Sequence, residues 1–373
     1  MGDLERMTGE VRVPADVLRA FAERAFETLG VPAADARVCA DVLLRSDLRG
    51  IASHGVGRLK MYVDRIRMGM LDPAAQPEVV REGPTTAVID GHHGMGHVIG
   101  VRAMELAITK AKAHGLGAVA ARNSSHFGIA GYYPLMAVAQ DLIGVTVTNA
   151  RPSVFPTFGA EPTFGTNPIA FGAPTDEDCP FLFDASTSVV PRGKLEVLSR
   201  AGKAIPTGWV GDPAGNAATD TDVVLAGLNA GEYGLLPLGG LGELLSGHKG
   251  YGLATVVEIL SASLQAGVFL KDLASFAPDG SARKQQLGHF FLAIDVAAFD
   301  EPAAFKKRTG DILRALRATK KVPGHDRIFT AGEKEWEAEG RILARGVPIN
   351  PKLQADLSAV RDALSIEAPT LPF

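Results

Sequence analysis

Residues 86–122 read TAVIDGHHGMGHVIGVRAMELAITKAKAHGLGAVAAR, and the order of elements they encode decides the fold class. Thr86–Asp90 is a short apolar run suited to a strand, His97–His114 carries helical spacing, and Leu116–Arg122 is a second strand-like run. Strands alternating with helices predict an α/β domain. The turn between them departs from a dinucleotide fingerprint. In Gly94-Met-Gly96-His-Val-Ile-Gly100 the third glycine comes one residue late, and the second strand ends in Arg122, where an acidic residue would hold a ribose. The stretch predicts an α/β sheet without a Rossmann cofactor site.

Working outward, further strands are expected at Leu142–Thr148 (LIGVTVT), Ile169–Gly172, Phe181–Asp184 and His289–Val296, with a helix over Tyr132–Gln140. The flanks differ in kind. Residues 14–48 have helical periodicity in Val17, Leu18, Phe21, Ala25 and Leu29, broken at Gly30 and resuming after Pro32 with Val38, Val42 and Leu43. A third helix is expected over Val56–Met68, with Leu59, Tyr62, Val63 and Ile66 on one face, and residues 302–364 return to helix along Phe305, Ile312, Leu313 and Leu316. The expected organisation is a helical part from both chain ends (1–80 plus 300–373) and an α/β part between them (81–299), within the roughly two domains that 373 residues allow.

Composition narrows the function classes. With 38 basic against 42 acidic residues and a net charge of −4, the chain has no footprint for nucleic acid or an anionic membrane. Two cysteines, Cys39 and Cys179, build neither a disulfide framework nor a four-ligand zinc site. The opening Met1–Arg6 is charged and no apolar stretch follows it, and no run approaches the ~18–20 apolar residues of a membrane span, so a cytoplasmic protein is expected.

Three segments concentrate useful chemistry. In Ser53-His54-Gly55-Val56-Gly57-Arg58 an imidazole and a guanidinium stand four apart, which places them on one face if the helix starts here. Such a pair can move a proton at neutral pH and grip a carboxylate. Asn123-Ser-Ser-His126-Phe-Gly128 follows a strand, where ligand sites of α/β sheets gather. Gly165-Thr166-Asn167-Pro168 is followed by Phe181-Leu-Phe-Asp184-Ala-Ser186-Thr-Ser188, in which Asp184 ends an apolar run and needs a partner, either a histidine to orient or the N terminus of the following segment to cap. Three patterns are excluded. Gly242–Lys249 has His248 before the lysine and no Ser or Thr after it, so it is not a P-loop. The serine of Gly50-Ile-Ala-Ser53-His-Gly55 is spaced one residue too far for a nucleophile elbow, and the adjacent His92 and His93 point apart and make a poor metal pair.

Taken together, SHGVGRL (53–59), RNSSHFGIAGYY (122–133), GTNPIAFGAP (165–174), FDASTSVVPRGKLE (183–196), GHKGYGLA (247–254) and PGHDRI (323–328) resemble the signatures of the type-2 malate/L-lactate dehydrogenases, in consistent order over nearly the whole chain. That family includes ureidoglycolate, sulfolactate and diketogulonate dehydrogenases and a cyclic-imine reductase; GGLGELLSGHKGYG and the late PGHDRIFTAGEKEWE most resemble its malate and sulfolactate branch. The resemblance implies a non-Rossmann α/β fold with a mixed-sheet domain and a helical domain from both chain ends, NAD or NADP as cofactor, a small 2-hydroxy acid as substrate and a homodimer.

Residue by residue, His54 matches the family's catalytic histidine with Ser53 beside it, Arg58 its substrate-carboxylate arginine, and Thr166 its substrate segment. His126, Phe127, Gly128, Ile129 and Ala130 match a cofactor loop whose histidine accepts the proton in some members. Asp184, Ala185, Ser186, Arg192, Gly193 and the loop Gly324, His325, Asp326, Arg327 fall on cofactor positions. Where the family commonly has Leu-Asp-Met-Ala-Thr-Ser, this chain has Phe183-Asp-Ala-Ser-Thr-Ser, a change in pocket shape that keeps the aspartate. The expected activity is hydride transfer at C2 of malate/oxaloacetate. His54 would move the proton, oriented by Ser53 and Asp184, with His126 as rival for that role. Lactate, sulfolactate or ureidoglycolate dehydrogenase and cyclic-imine reductase are the alternatives, and a non-catalytic cofactor-binding homologue is the non-enzyme reading. For the far end of malate, Lys194 and Lys249 are the candidate cations.

Overall fold

The computed structural model describes residues 9–200 and 202–373, so the charged opening residues 1–8 lie outside the described residues. The chain begins with β1 (Val11–Val13), α1 (Ala15–Thr28) and α2 (Ala33–Leu48), then passes through a 3-10 turn at Val56–Arg58 into α3 (Leu59–Arg67). Pro14 and Pro32 sit at the N-caps of α1 and α2, where a missing N–H removes no intrahelical bond. There follow β2 (Glu78–Glu82), β3 (Thr86–Asp90), α4 (Gly96–His114), β4 (Leu116–Ser124), α5 (Tyr132–Val138), β5 (Leu142–Thr148), β6 (Ile169–Ala173) and β7 (Phe181–Ala185). A smaller layer holds α6 (Arg192–Arg200), β8 (Val210–Gly211), α7 (Thr221–Ala230), β9 (Gly234–Leu235) and α8 (Gly247–Ala262). The chain closes with β10 (Leu287–Asp295), α9 (Pro302–Ala318), α10 (Glu333–Arg345), β11 (Val347–Ile349) and α11 (Pro351–Leu364), the last capped by Asn350 Oδ1, which accepts from Leu353 N–H at 3.0 Å.

Among the described residues the main sheet has seven strands in the order β2-β3-β4-β10-β5-β6-β7. Only β3 and β4 run parallel, joined by α4; β10 enters antiparallel between β4 and β5. The sheet is therefore mixed, and the single β3–α4–β4 unit has no second parallel unit to form the crevice in which a Rossmann site lies. Packing explains the glycines of that unit. A Cβ on Gly96 would come 2.2 Å from the Ser125 carbonyl, and one on Gly100 would come 2.6 Å from the Tyr133 ring. The glycines let α4 press against the 125–133 segment, so they serve the protein's own core rather than a phosphate.

Three apolar cores result. One joins Leu18, Phe21, Phe26, Leu43, Leu59 and Tyr62 to Val347, Leu357, Val360 and Leu371, and β1 pairs with β11, tying the two chain ends together. A second fills the space between α4, α5 and the sheet around Met104, Val119, Tyr133 and Phe291. A third, around Val154, Leu195, Val224 and Leu235, belongs to the smaller layer. The expected helix over 302–364 is instead three helices interrupted by β11. The strand β2 escaped sequence reading because all five of its residues are exposed, so no face is left apolar.

Candidate active site

The loop carrying His54 is built by a buried carboxylate. After α2 the chain folds back, with Ile51 N–H on the Ser46 carbonyl at 2.9 Å and His54 N–H on the Ile51 carbonyl at 3.0 Å. Asp47, buried at the end of α2, accepts from Val56 N–H at 2.7 Å and so caps the 3-10 turn that follows the histidine. Gly55 runs so close to this carboxylate that a Cβ would fall 1.9 Å from Asp47 Oδ1. His54 is thus presented from a loop and not from a helix, which corrects the simple four-residue helical spacing expected for His54 and Arg58. The two are still coupled: Arg58 N–H donates to the Gly55 carbonyl at 2.8 Å and Arg58 Nε–H to the Ser53 carbonyl at 2.5 Å.

His54 Nδ1 lies 2.8 Å from Ser53 Oγ, and its ring stacks on His126 with centroids 5.5 Å apart and planes 19° apart. His126 in turn is held from behind. The buried Tyr62 hydroxyl lies 2.5 Å from His126 Nδ1, and Gly128 N–H donates to the same nitrogen at 3.3 Å. Burial, and then the Arg58 charge, push His54 down to about 4. His126 is held well below the usual imidazole range, first by burial and then by His54, Arg65, His97 and Arg58. Both imidazoles are therefore neutral at pH 7. His97, fully buried and 4.8 Å from Tyr62 by ring centroid, closes the back of the cluster with neither ring nitrogen hydrogen-bonded.

The other expected residues are distributed around this pair. Phe127, Ile129 and Ala130 are buried; Phe127 stacks on His289 at 4.4 Å and on Tyr133 at 4.8 Å, so this loop offers backbone rather than side chains to a ligand. Asp184 is exposed at its surface, yet desolvation by the surrounding protein pushes its carboxyl up to about 6 against the Gly131 N–H bond and the Arg49 charge. Its partner is that Gly131 N–H, at 2.7 Å, and not His54. The aspartate therefore anchors the 126–131 loop, at the residue that leads into α5, to β7, where a histidine partner or a cap on the segment after Asp184 was expected. Thr166 offers its carbonyl to Thr187 N–H at 3.0 Å, and Ala185 pairs with Ile169 at the end of β7. Ser186 Oγ–H donates to the Ser188 carbonyl at 3.1 Å.

Arg192 and Gly193 open α6 beside the histidine loop: a Cβ on Gly193 would lie 3.6 Å from Ser53 Cβ. The loop Gly324–Arg327 is open to solvent, and its polar contacts run to α10, through Arg327 to Glu337 at 2.5 Å. His92 and His93 do point apart, to Glu78 and to the Gln285 carbonyl, and no metal-binding group occurs among the described residues.

Sequence reading missed four residues at this site. Tyr62 reads as one more apolar position on α3 until its hydroxyl is seen on His126. Glu258 is a buried carboxylate that accepts from Leu270 N–H at 2.9 Å and Asn167 Nδ2–H at 2.8 Å, fixing the chain next to Thr166. Arg65 and Arg151 join Arg58 and Arg192 in a cationic cluster assembled from three separated segments, and only spacing from Arg58 to Arg65 could have signalled it.

Comparison with known proteins agrees with this architecture. The profile described as malate/L-lactate dehydrogenase matches residues 13–358. The malate dehydrogenase of Pyrococcus horikoshii is 46% identical over 357 residues, covering 96% of each chain. The L-sulfolactate dehydrogenase of Methanocaldococcus jannaschii is 39% identical with the same coverage. The crystal structure of malate dehydrogenase from Entamoeba histolytica superposes with a TM-score of 0.93 at 42% identity, covering 98% of this chain and 100% of that one. The chain belongs to the malate/L-lactate dehydrogenase family of oxidoreductases.

Proposed function

We propose that the protein is a dehydrogenase exchanging a hydride between NAD or NADP and C2 of a small 2-hydroxy acid, with malate and oxaloacetate as its substrate pair. The observation that carries this reading is the neutral His54 stacked on His126, with the Arg58 fork one turn away. Two neighbouring neutral imidazoles and a carboxylate-binding cation suit proton transfer at a carbinol next to an acid group.

The tautomers favour a division of labour. His126 Nδ1 accepts from Gly128 N–H, so in the neutral ring the proton sits on Nε2, which can donate to a substrate oxygen but not take its proton. In the tautomer whose Nδ1–H donates to Ser53 Oγ, His54 has its Nε2 lone pair free to receive the hydroxyl proton in oxidation and to return it in reduction. Arg58 holds the C1 carboxylate. The residues also fit a nicotinamide dinucleotide: Arg192 at the N terminus of α6, beside Ser53, suits a phosphate, and the 126–131 loop, anchored by Asp184, offers backbone along the recess. The bound cofactor would supply or accept the hydride. Assembly as a homodimer is supported by α8, whose outward Leu253, Val256 and Ile259 are 42%, 50% and 52% exposed. The absence among the described residues of a helix long and apolar enough to cross a membrane fits a soluble, cytoplasmic enzyme.

The test crosses NADH and NADPH with oxaloacetate, pyruvate, sulfopyruvate and a cyclic imino acid at 340 nm. Fastest oxidation with oxaloacetate is expected, and His54→Ala should cost on the order of 10²–10⁴-fold in kcat. A His54→Ala enzyme with wild-type turnover, or preference for another acid, overturns the assignment.

A further inference from the structure

The charges of Arg58, Arg65 and Arg151 act on one another, and among the described residues none of the three forms an ion pair with a carboxylate. Arg58, Tyr62 and Arg65 follow one another at helical spacing along the 3-10 turn and α3, and Tyr62 is hydrogen-bonded to His126, so this face of the helix looks onto the histidine pair. Arg58 spends only its Nε on the protein, leaving the two terminal nitrogens of its fork available among the described residues. Arg151 arrives from the other side, just beyond the C-terminal end of β5. Its neighbour Ala150 packs so tightly against Gly165 that a Cβ there would lie 2.5 Å from the Ala150 carbonyl, which sets Arg151 beside the Thr166 segment.

Charge confirms the convergence. Arg65 is held below its ordinary value first by burial and then by Arg151 and Arg58, with Tyr62 opposing. Arg151 is lowered by burial and then by Arg192 and Arg58. Neither feels a carboxylate, although the chain as a whole carries more acid than base. Mutually repelling, partly desolvated cations without an internal counter-ion are stabilised when an anion enters between them. Arg192 is different, since it is paired with Glu196 at 3.3 Å and with Asn229 at 2.6 Å.

We propose that Arg151, backed by Arg65, is a second anion clamp that holds the distal acid group of the substrate while Arg58 holds the first, so that the site selects dianionic 2-oxo acids. The proposal rests on the dehydrogenase reading for its chemistry, but its binding content stands separately. Lys194 and Lys249, the cations expected from sequence, make no side-chain polar contact among the described residues; they are exposed, as Arg151 is, but only Arg151 shares the electrostatic neighbourhood of Arg58 and Arg65, and Arg65 acts on His126. The clamp also explains the cluster's geometry: a substrate with one acid group needs one arginine, and this recess provides three.

The test is Arg151→Met, with Arg151→Gln as a second variant. The ratio of kcat/KM for oxaloacetate to kcat/KM for pyruvate should fall on the order of 10²–10³-fold, as expected for loss of a partly desolvated charge pair, while KM for the reduced cofactor stays at the wild-type value. A binding arm needs no turnover: succinate should stabilise the wild-type protein in a thermal melt more than butyrate does, and that difference should vanish in both variants. A ratio within threefold of wild type overturns the proposal. So does a rise in cofactor KM with both acids, which would give the cluster to a cofactor phosphate, or an undiminished preference for succinate. If no 2-oxo acid is turned over, the dehydrogenase reading fails and the succinate arm still decides the clamp.

Discussion

Replacing Gly55 by alanine tests how the histidine loop is held. The added methyl would lie 1.9 Å from Asp47 Oδ1, 2.1 Å from its Cγ and 2.3 Å from its Oδ2, far inside van der Waals contact. Asp47 cannot swing into solvent, because it is 4% exposed and its carboxylate is bonded to Val56 N–H at 2.7 Å. The methyl strains the loop, at about 1–3 kcal/mol for overpacking, and in displacing the carboxylate it orphans Val56 N–H, at a further cost of about 1–3 kcal/mol. Both together give roughly 2–6 kcal/mol. With an unfolding entropy of about 2.1 cal/mol/K per residue, the middle of that range lowers Tm by ~5 °C. Because the displaced segment carries His54, turnover should fall further than stability does, on the order of 10²-fold for a displacement near 1 Å. The control is Gly57→Ala, two residues on, where a Cβ meets nothing closer than 3.7 Å. Thermal and urea unfolding of both variants, with initial rates on oxaloacetate, give the comparison. If Gly55→Ala lies within ~0.5 kcal/mol of Gly57→Ala and turns over as fast, the Asp47 cap does not set the position of His54.

Two further outcomes are expected. Asp47 is pushed up to about 7 by burial, against the Val56 bond, so between its ordinary 3.8 and 7 the native state keeps a proton that the unfolded chain has released, and the wild type loses stability as pH rises through that window. Asp47→Asn lacks this slope, so urea titrations should move in the variant's favour by roughly 2–4 kcal/mol from pH 4 to pH 8; parallel curves would refute the buried-acid assignment. Tyr62→Phe removes the hydroxyl that fixes His126 Nδ1 and should lower kcat about 10–100-fold, with KM for oxaloacetate little changed, by analogy with partners that orient ligating histidines. An unchanged kcat would mean that Gly128 alone fixes the ring.

The parts of this protein legible in its sequence are those whose signal is local. The strand over Leu142–Thr148 was readable because seven consecutive residues are β-branched, apolar or small and bounded by turn residues, and the structure places β5 on the same residues. His54, Arg58 and His126 were legible because each sits in a short run of glycines and small polar residues that an ordinary helix or strand has no use for. Distant sequence partners were not legible. The Glu258 carboxylate joins residues 149, 167 and 270, and Tyr62 looks like a core residue because its ring is one; only its hydroxyl reaches His126. The role of Asp184 was misread for a related reason. A carboxylate ending an apolar strand must have a donor, but sequence does not say which, and the fold supplied a backbone N–H from a loop more than fifty residues earlier.

The cationic recess also bears on how the proposed reaction would be switched on. In the unliganded protein Arg58 adds to burial in holding His54 at about 4, so at neutral pH the imidazole is ready to accept a proton but carries none to donate. Oxidation suits that state; reduction does not. An acid group seated on Arg58 cancels the charge that disfavours the imidazolium, and a second one held by Arg151 beside Arg65 would cancel the Arg65 charge that acts on the neighbouring His126. The substrate's own negative charges would thus raise the basicity of the histidines as it binds, so that protonation for the reductive direction follows the arrival of the 2-oxo acid. On this account a dianion is favoured twice, once by the clamps that hold it and once by the acid that its charge creates. A monoanionic substrate of equal affinity would leave the Arg65 charge uncompensated, so His126 would stay less basic and reduction at high pH would be slower.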